Sequence, residues 1–147
     1  TMVIVPTMLT SAEGVDARTS LIVGSDGVSP QERRVRDLAQ RRATGVLFTD
    51  DIRCPVHVSD LAAALLELAA TERSGIHHLA GSDAISRYEM GVLIAQRDGL
   101  DASLLQPGTR AGSDSPGPLD VRLDSSATQA QLRTRLRGAR EFLVKPG

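Results

Sequence analysis

A phenol becomes a proton relay near neutral pH when an ammonium stands one helical turn away and lowers its pKa. In this chain of 147 residues the only tyrosine, Tyr88, has Val92 at that spacing, and the only lysine is Lys145. A dinucleotide cradle needs G-x-G-x-x-G between a strand and a helix. Gly24-Ser25-Asp26-Gly27 offers two of those glycines and reads as a turn. The Gly- and Pro-rich stretch from Gly108 to Gly117 lacks the Gly-Lys-Ser/Thr ending of a phosphate loop and reads as a connector. The histidines are His57, His77 and His78. Neighbours on a strand face opposite sides, so His77 and His78 do not converge on one metal. No acidic or cysteine partner stands at ligand spacing, and no metal site is expected. A G-x-S-x-G elbow is also missing. No catalytic residue is assigned.

One cluster stands above this background, Asp50-Asp51-Ile52-Arg53-Cys54-Pro55-Val56-His57-Val58-Ser59-Asp60-Leu61-Ala62. It sets an arginine just before a short strand and a carboxylate at the start of a helix. Arg53 could present a planar, permanently charged fork to a diphosphate. It could equally pair with Asp50 or Asp51 at the surface, where such pairs are common and weak. Both readings stay open from the residues alone. The spacing of Arg133, Arg135, Arg137 and Arg140 wraps around a helix rather than lining one stripe, and Asp120, Asp124 and Glu141 lie close by, which is the pattern of a solvated face.

Composition narrows the class. Seventeen basic residues against eighteen acidic ones give a net charge of -1, so no overall field draws the chain to nucleic acid or acidic lipid. Aromatics are only 2%, too few for a platform on which bases stack. A lone Cys54 excludes an intrachain disulfide and suits a reducing, cytoplasmic setting. No apolar run approaches the ~20 residues that span a bilayer.

The elements that must position the cluster alternate between strand and helix, which argues an α/β fold of short parallel strands with flanking helices. Met2 to Val5 is a short strand closed by Pro6, and Thr10 to Asp16 reads as loop. Ala17 to Val23 is a near-continuous apolar run, typical of one strand buried on both faces. Ser29, Pro30 and Glu32 form a capping box that opens a helix ending at Gly45. Val46 to Phe48 and Pro55 to Val58 are strands. Asp60 is expected to cap the next helix, which Gly75 stops. Ile76 to Ala80 is a strand, and Ser86 with Glu89 opens a helix to Gly99. Gln106 to Pro118 is loop, Val121 to Leu123 a short strand. Helices follow from about Ser125 to Leu136 and from Ala139 to Leu143.

At the Asp50–Ala62 cluster the chain resembles the extended short-chain dehydrogenase/reductase superfamily, whose C-terminal half carries Arg-Asp-aromatic-Ile/Val-His-Val-x-Asp-Leu-Ala. Its nearest relatives by this pattern are dTDP-4-dehydrorhamnose reductases and NAD-dependent nucleotide-sugar epimerases. Arg18 to Gly24, Gly75 to Gly81 and Pro118 to Asp124 resemble further family segments in the expected order. The resemblance implies the C-terminal part of a Rossmann-like enzyme, with residues 17–147 as the substrate-binding part and 1–16 a poorly defined N-terminal segment. It places Thr19 and Ser20 near the cofactor and sugar, and Arg53 and Leu21 against the nucleotide-sugar substrate. NADP or NAD would be held by the complete enzyme, and this chain alone would bind no cofactor and be inactive. Leu21 stands where reductases often have Trp, Cys54 where Asp is usual, Pro55 where an aromatic is usual, and Gly117 where many epimerases have a second phosphate-binding Arg. A non-catalytic binding or regulatory module of the same fold is the alternative. A strand such as Ala17 to Val23, lacking its neighbours, would leave an apolar edge open and favour homodimers or association.

Overall fold

The computed structural model describes residues 2–5, 8–11, 15–70, 75–113 and 118–144. Lys145, Gly117 and the segment joining the second helix to Gly75 lie outside the described residues. The fold is α/β. Strands β1 (Met2–Val5), β2 (Met8–Ser11) and β3 (Val15–Thr19) form an antiparallel run, and β3 pairs in parallel with β8 (Gly75–Leu79) on its other side. The stretch expected to be loop at Thr10 to Asp16 therefore contributes to two strands. The expected open edge of β3 is occupied by β2.

The apolar run Ala17 to Val23 is not one strand. It breaks at Ser20 and Leu21, and β4 (Ile22–Val23) pairs in parallel with β7 (Val56–His57), a different partner from that of β3. Two further ribbons complete the frame: β5 (Leu47–Phe48) is parallel to β10 (Pro107–Gly108), and β6 (Ile52–Arg53) is antiparallel to β9 (Ile85–Ser86). Val121 to Leu123 forms no strand; the nearest pairing is a bridge from Ile52 to Asp120.

Helix α1 (Pro30–Ala39) starts as its capping box requires, with Ser29 Oγ accepting the Glu32 N–H. It ends six residues before Gly45, with Arg41 in the left-handed region at φ 59°. Helix α2 (Val58–Ala69) is capped by His57 rather than Asp60, because the helix begins three residues earlier and the imidazole Nδ1 accepts the Ser59 N–H. It ends at Ala69, so Gly75 opens β8 and does not stop the helix. Helix α3 (Arg87–Arg97) is capped by Ser86.

The expected helix to Leu136 is only α4 (Ser126–Gln129), and α5 (Ala139–Phe142) closes the chain. Side chains from elsewhere take over the backbone between them. Glu67 accepts the N–H groups of Arg133 (2.8 Å) and Thr134 (2.6 Å), and Gln129 Oε1 accepts that of Leu136. A helix is unnecessary where buried polar groups are already satisfied.

Two apolar clusters result. The larger joins α1, α3 and α5 through Val35, Leu38, Met90, Ile94 and Phe142, and the half-buried Tyr88 packs against it. The smaller lies between α2 and the β3–β8 pair, through Ala17, Leu61, Leu68 and Leu79.

Candidate functional site

The break between β3 and β4 shapes the site. When the chain changes strand partners at Ser20 and Leu21, it leaves a cavity of about 310 Å³ against α1 and the Val121 to Leu123 segment. Thr19, Ser20, Leu21 and Arg53 all line it, so the four residues singled out from sequence meet in one place. Pro30 and Gln31, from the first turn of α1, form the facing wall.

The two hydroxyls already have structural partners. Thr19 Oγ1 donates to the Leu79 carbonyl at 2.7 Å, tying β3 to β8. Ser20 Oγ accepts the Cys54 N–H at 3.2 Å, tying the break to the segment after Arg53. Both residues are buried, and each can offer a ligand only the remaining capacity of its oxygen. Leu21 is half-buried against the larger core cluster.

Arg53 answers to both sequence readings at once. Its Nη1 lies 2.7 Å from Asp51 Oδ1, while its N–H groups are directed at the carbonyls of Ile52 (2.9 Å), Leu119 (3.3 Å) and Pro118 (3.4 Å). Asp51 is fully buried, so this is not the weak surface pair of a solvated arginine. Arg87 from α3 and Arg110 from the loop after β10 join the same carboxylate. Nothing in the sequence placed those two beside Arg53. The pairs are separated by dozens of residues: the β6–β9 ribbon brings Arg87 to Arg53, and the β5–β10 ribbon brings Arg110.

The Gly24–Gly27 turn does not fit a dinucleotide diphosphate. Both glycine N–H groups donate to the buried carboxylate of Glu32, at 3.0 Å and 2.9 Å. A phosphate would have to displace an anion held by four donors.

A second constellation has the outline of a nucleophile pair. Ser25 Oγ lies 2.7 Å from His57 Nε2, and a cavity of about 480 Å³ opens beside them. The tautomer decides against it. The Ser59 N–H can only donate, so His57 Nδ1 is an acceptor and the ring proton sits on Nε2, pointing at Ser25. A base that is already protonated toward the hydroxyl cannot take its proton. His57 is instead a helix cap, packed edge-on against Phe142 at 5.4 Å.

Burial, and after it the nearby Arg137 guanidinium, holds the His57 imidazole below its ordinary 6.5. The unfolded chain then binds a proton before the folded one does. Stability therefore falls as pH drops from about 6.5 toward the lower native value. We expect His57→Asn, whose carbonyl can cap Ser59 without titrating, to flatten that fall. Thermal midpoints of both proteins at pH 7.5, 6.5 and 5.5 check it, and parallel curves would refute it.

The C-terminal arginines are mostly spent on carboxylates. Arg137 makes a forked pair with Asp60, Arg135 bonds Glu141, and Arg140 bonds Glu89. His77 is buried against Thr128, and His78 faces the Asp124 carbonyl. Among the described residues no three His, Cys, Asp or Glu side chains converge, and no helix is long and apolar enough to cross a membrane.

Residues 10–145 match the family model of the RmlD substrate binding domain. A probable low-salt glycan biosynthesis reductase, Agl14, from Haloferax volcanii is 32% identical over 88 residues, covering 58% of this chain and 29% of that protein. Among solved structures, the dTDP-4-dehydrorhamnose reductase of Bacillus anthracis str. Ames, in complex with NADP, superposes with a TM-score of 0.71 at 19% identity. That superposition covers 86% of this chain and 45% of the reductase. A hypothetical dTDP-4-dehydrorhamnose reductase from Sulfolobus tokodaii gives a TM-score of 0.66 at 26% identity over 87% of this chain and 45% of its own. The chain thus spans under half the length of these relatives, and the shared α/β fold is Rossmann-like.

Proposed function

This chain belongs to the RmlD substrate binding domain family, and from that premise we propose that it forms the substrate side of an NAD(P)-dependent nucleotide-sugar reductase of the dTDP-4-dehydrorhamnose reductase type. The observation that carries the reading is the single cavity walled by Thr19, Ser20, Leu21 and Arg53. Its size suits part of a nucleotide sugar. Arg53 stands where a fixed fork can meet a diphosphate. Thr19 and Ser20 sit at the end of β3, where strand ends in α/β folds face ligands, and would approach the cofactor and sugar in the complete enzyme. Leu21 would lie against the sugar ring.

In that enzyme the cofactor supplies hydride and another part of the protein supplies the proton. This chain's residues bind, orient and exclude water. Its Gly24–Gly27 turn is occupied by Glu32 and would not hold the dinucleotide. The chain by itself should be inactive as an oxidoreductase.

Calorimetry of the 147-residue chain with dTDP and with NADPH tests the reading. We expect dTDP to bind and NADPH not to. Arg53→Ala should weaken dTDP about tenfold or more, since a hydrogen bond to a charged group contributes roughly 1.5–3 kcal/mol. Tight NADPH binding, or dTDP binding indifferent to Arg53, would reverse the assignment.

A further inference from the structure

Three guanidiniums share one buried carboxylate at the back of Arg53. Asp51 Oδ1 lies 2.7 Å from Arg53 Nη1, and its Oδ2 lies 2.7 Å from Arg110 Nη2 and 3.3 Å from Arg87 Nε. Asp51 is fully buried, whereas the three arginine side chains keep 13%, 16% and 27% exposure. The three arginine side chains are mostly buried, yet each keeps some solvent contact that the carboxylate lacks.

The charges do not balance. Asp50, the neighbouring carboxylate, is turned to the backbone N–H groups of Arg110 (2.7 Å) and Ala111 (3.0 Å). Counting both acids, three positive charges meet two negative ones, and only Asp51 touches the guanidiniums. Donors are in surplus too, because each arginine carries five N–H groups. Arg53 and Arg110 spend some on the Pro118 carbonyl and its neighbours, and Arg110 lies over the Phe48 ring at 5.1 Å. For Arg87, Asp51 is the one acceptor among the contacts described. Arg110 Nε is buried without a hydrogen-bond partner. Two arginines would neutralise Asp50 and Asp51, so the third charge has no acid of its own.

We propose that Arg53, Arg87 and Arg110 form an anion cradle, organised by Asp51, that takes a diphosphate. The proposal rests on the preceding reading of the cavity and extends it, since Arg53 belongs to both cavity and cradle. Asp51 fixes the three forks, and one positive charge is left over once both acids are counted. The Arg53–Asp51 contact is an ion pair without hydrogen-bond alignment, as Asp51 Oδ1 has no hydrogen-bond partner. Its N–H groups can therefore swing from backbone carbonyls to a phosphate without breaking the pair.

The probe is inorganic pyrophosphate, titrated calorimetrically into the 147-residue chain and into Arg87→Gln and Arg110→Gln. Circular dichroism melts, with Arg87→Lys and Arg110→Lys beside them, establish that each variant is folded. Pyrophosphate should bind, and each Gln variant should lose about tenfold in affinity, as one charge-assisted contact is removed. The Lys variants should retain more, because charge survives while the fork does not. No pyrophosphate binding by the folded parent, or folded Gln variants that bind as well as the parent, would overturn the cradle. Titrations with dTDP and NADPH separate the two sources of a diphosphate. Should pyrophosphate binding depend on all three arginines while NADPH binds as tightly as dTDP, the cradle stands and the nucleotide-sugar reading fails. If dTDP depends on Arg53 alone, that reading stands and the cradle fails.

Discussion

Glu32→Ala should lower the stability of this domain by about 3–5 kcal/mol, the range for removing one partner of a buried ion pair. The carboxylate is fully buried and receives four donors: Gly24 N–H at 3.0 Å, Gly27 N–H at 2.9 Å, Ser29 Oγ at 2.8 Å and Arg97 Nη2 at 2.5 Å. Alanine would orphan two backbone N–H groups in a closed turn and leave Arg97, itself only 10% exposed, with the Gly24 carbonyl and Asp98. Glu32→Gln should recover little. Its NH₂ would face N–H donors wherever its oxygen did not.

A loss of this size is a large share of the roughly 5–15 kcal/mol that holds a domain folded. At about 2–4 °C per kcal/mol for a chain of this length, the midpoint should fall by about 6–20 °C. The double variant Glu32→Ala with Arg97→Ala should be less destabilised than the sum of its parts, because the uncompensated charge is gone. Additive effects in urea unfolding would show that Glu32 acts through packing alone. The turn it closes also presents Pro30 and Gln31 to the cavity, so dTDP affinity should fall with it.

The same residue shows what a linear reading reaches. Ser29 and Glu32 announced the start of α1 three residues apart, and the cap formed as expected. The partner that matters most to Glu32, Arg97, is 65 positions away, and no local pattern points to it. Periodicity likewise found the apolar content of Ala17 to Val23 but not the change of partner at Ser20, since alternation says nothing about which strand lies alongside. That change opens the cavity. Asp60 was well placed to cap α2 on residue type. It was displaced because His57 caps three residues sooner, which freed the Asp60 carboxylate for the Arg137 fork. Thr19, Ser20, Leu21 and Arg53 were named from the order that family resemblance preserves along the chain, and they line one cavity. Arg87 and Arg110 were not, since they reach Asp51 only through tertiary folding.

Gly81→Ala should be nearly as costly, for a reason of space rather than charge. A Cβ there would stand 1.9 Å from the Pro55 carbonyl oxygen and 2.9 Å from that of Arg137. Both are backbone atoms, so no side chain can turn aside to make room. Gly81 also donates its N–H to the Cys54 carbonyl at 3.2 Å, which fixes the end of β8 against the segment following Arg53. Overpacking usually costs about 1–3 kcal/mol and sometimes more; two backbone obstacles place this substitution at or above 3 kcal/mol. The displaced segment carries the Cys54 N–H that Ser20 accepts and adjoins Arg53, so ligand affinity should drop together with the thermal midpoint. Gly99→Ala serves as the contrast, since nothing lies within 4 Å of its Cβ and only its φ of +72° resists. That strain costs about 1–2 kcal/mol and lies away from the cavity, so dTDP or pyrophosphate affinity should be untouched. A Gly81→Ala protein that melts as high as Gly99→Ala would mean that the Cys54–Pro55 segment yields freely, and that the close approach of the two chains does not hold Arg53 in place.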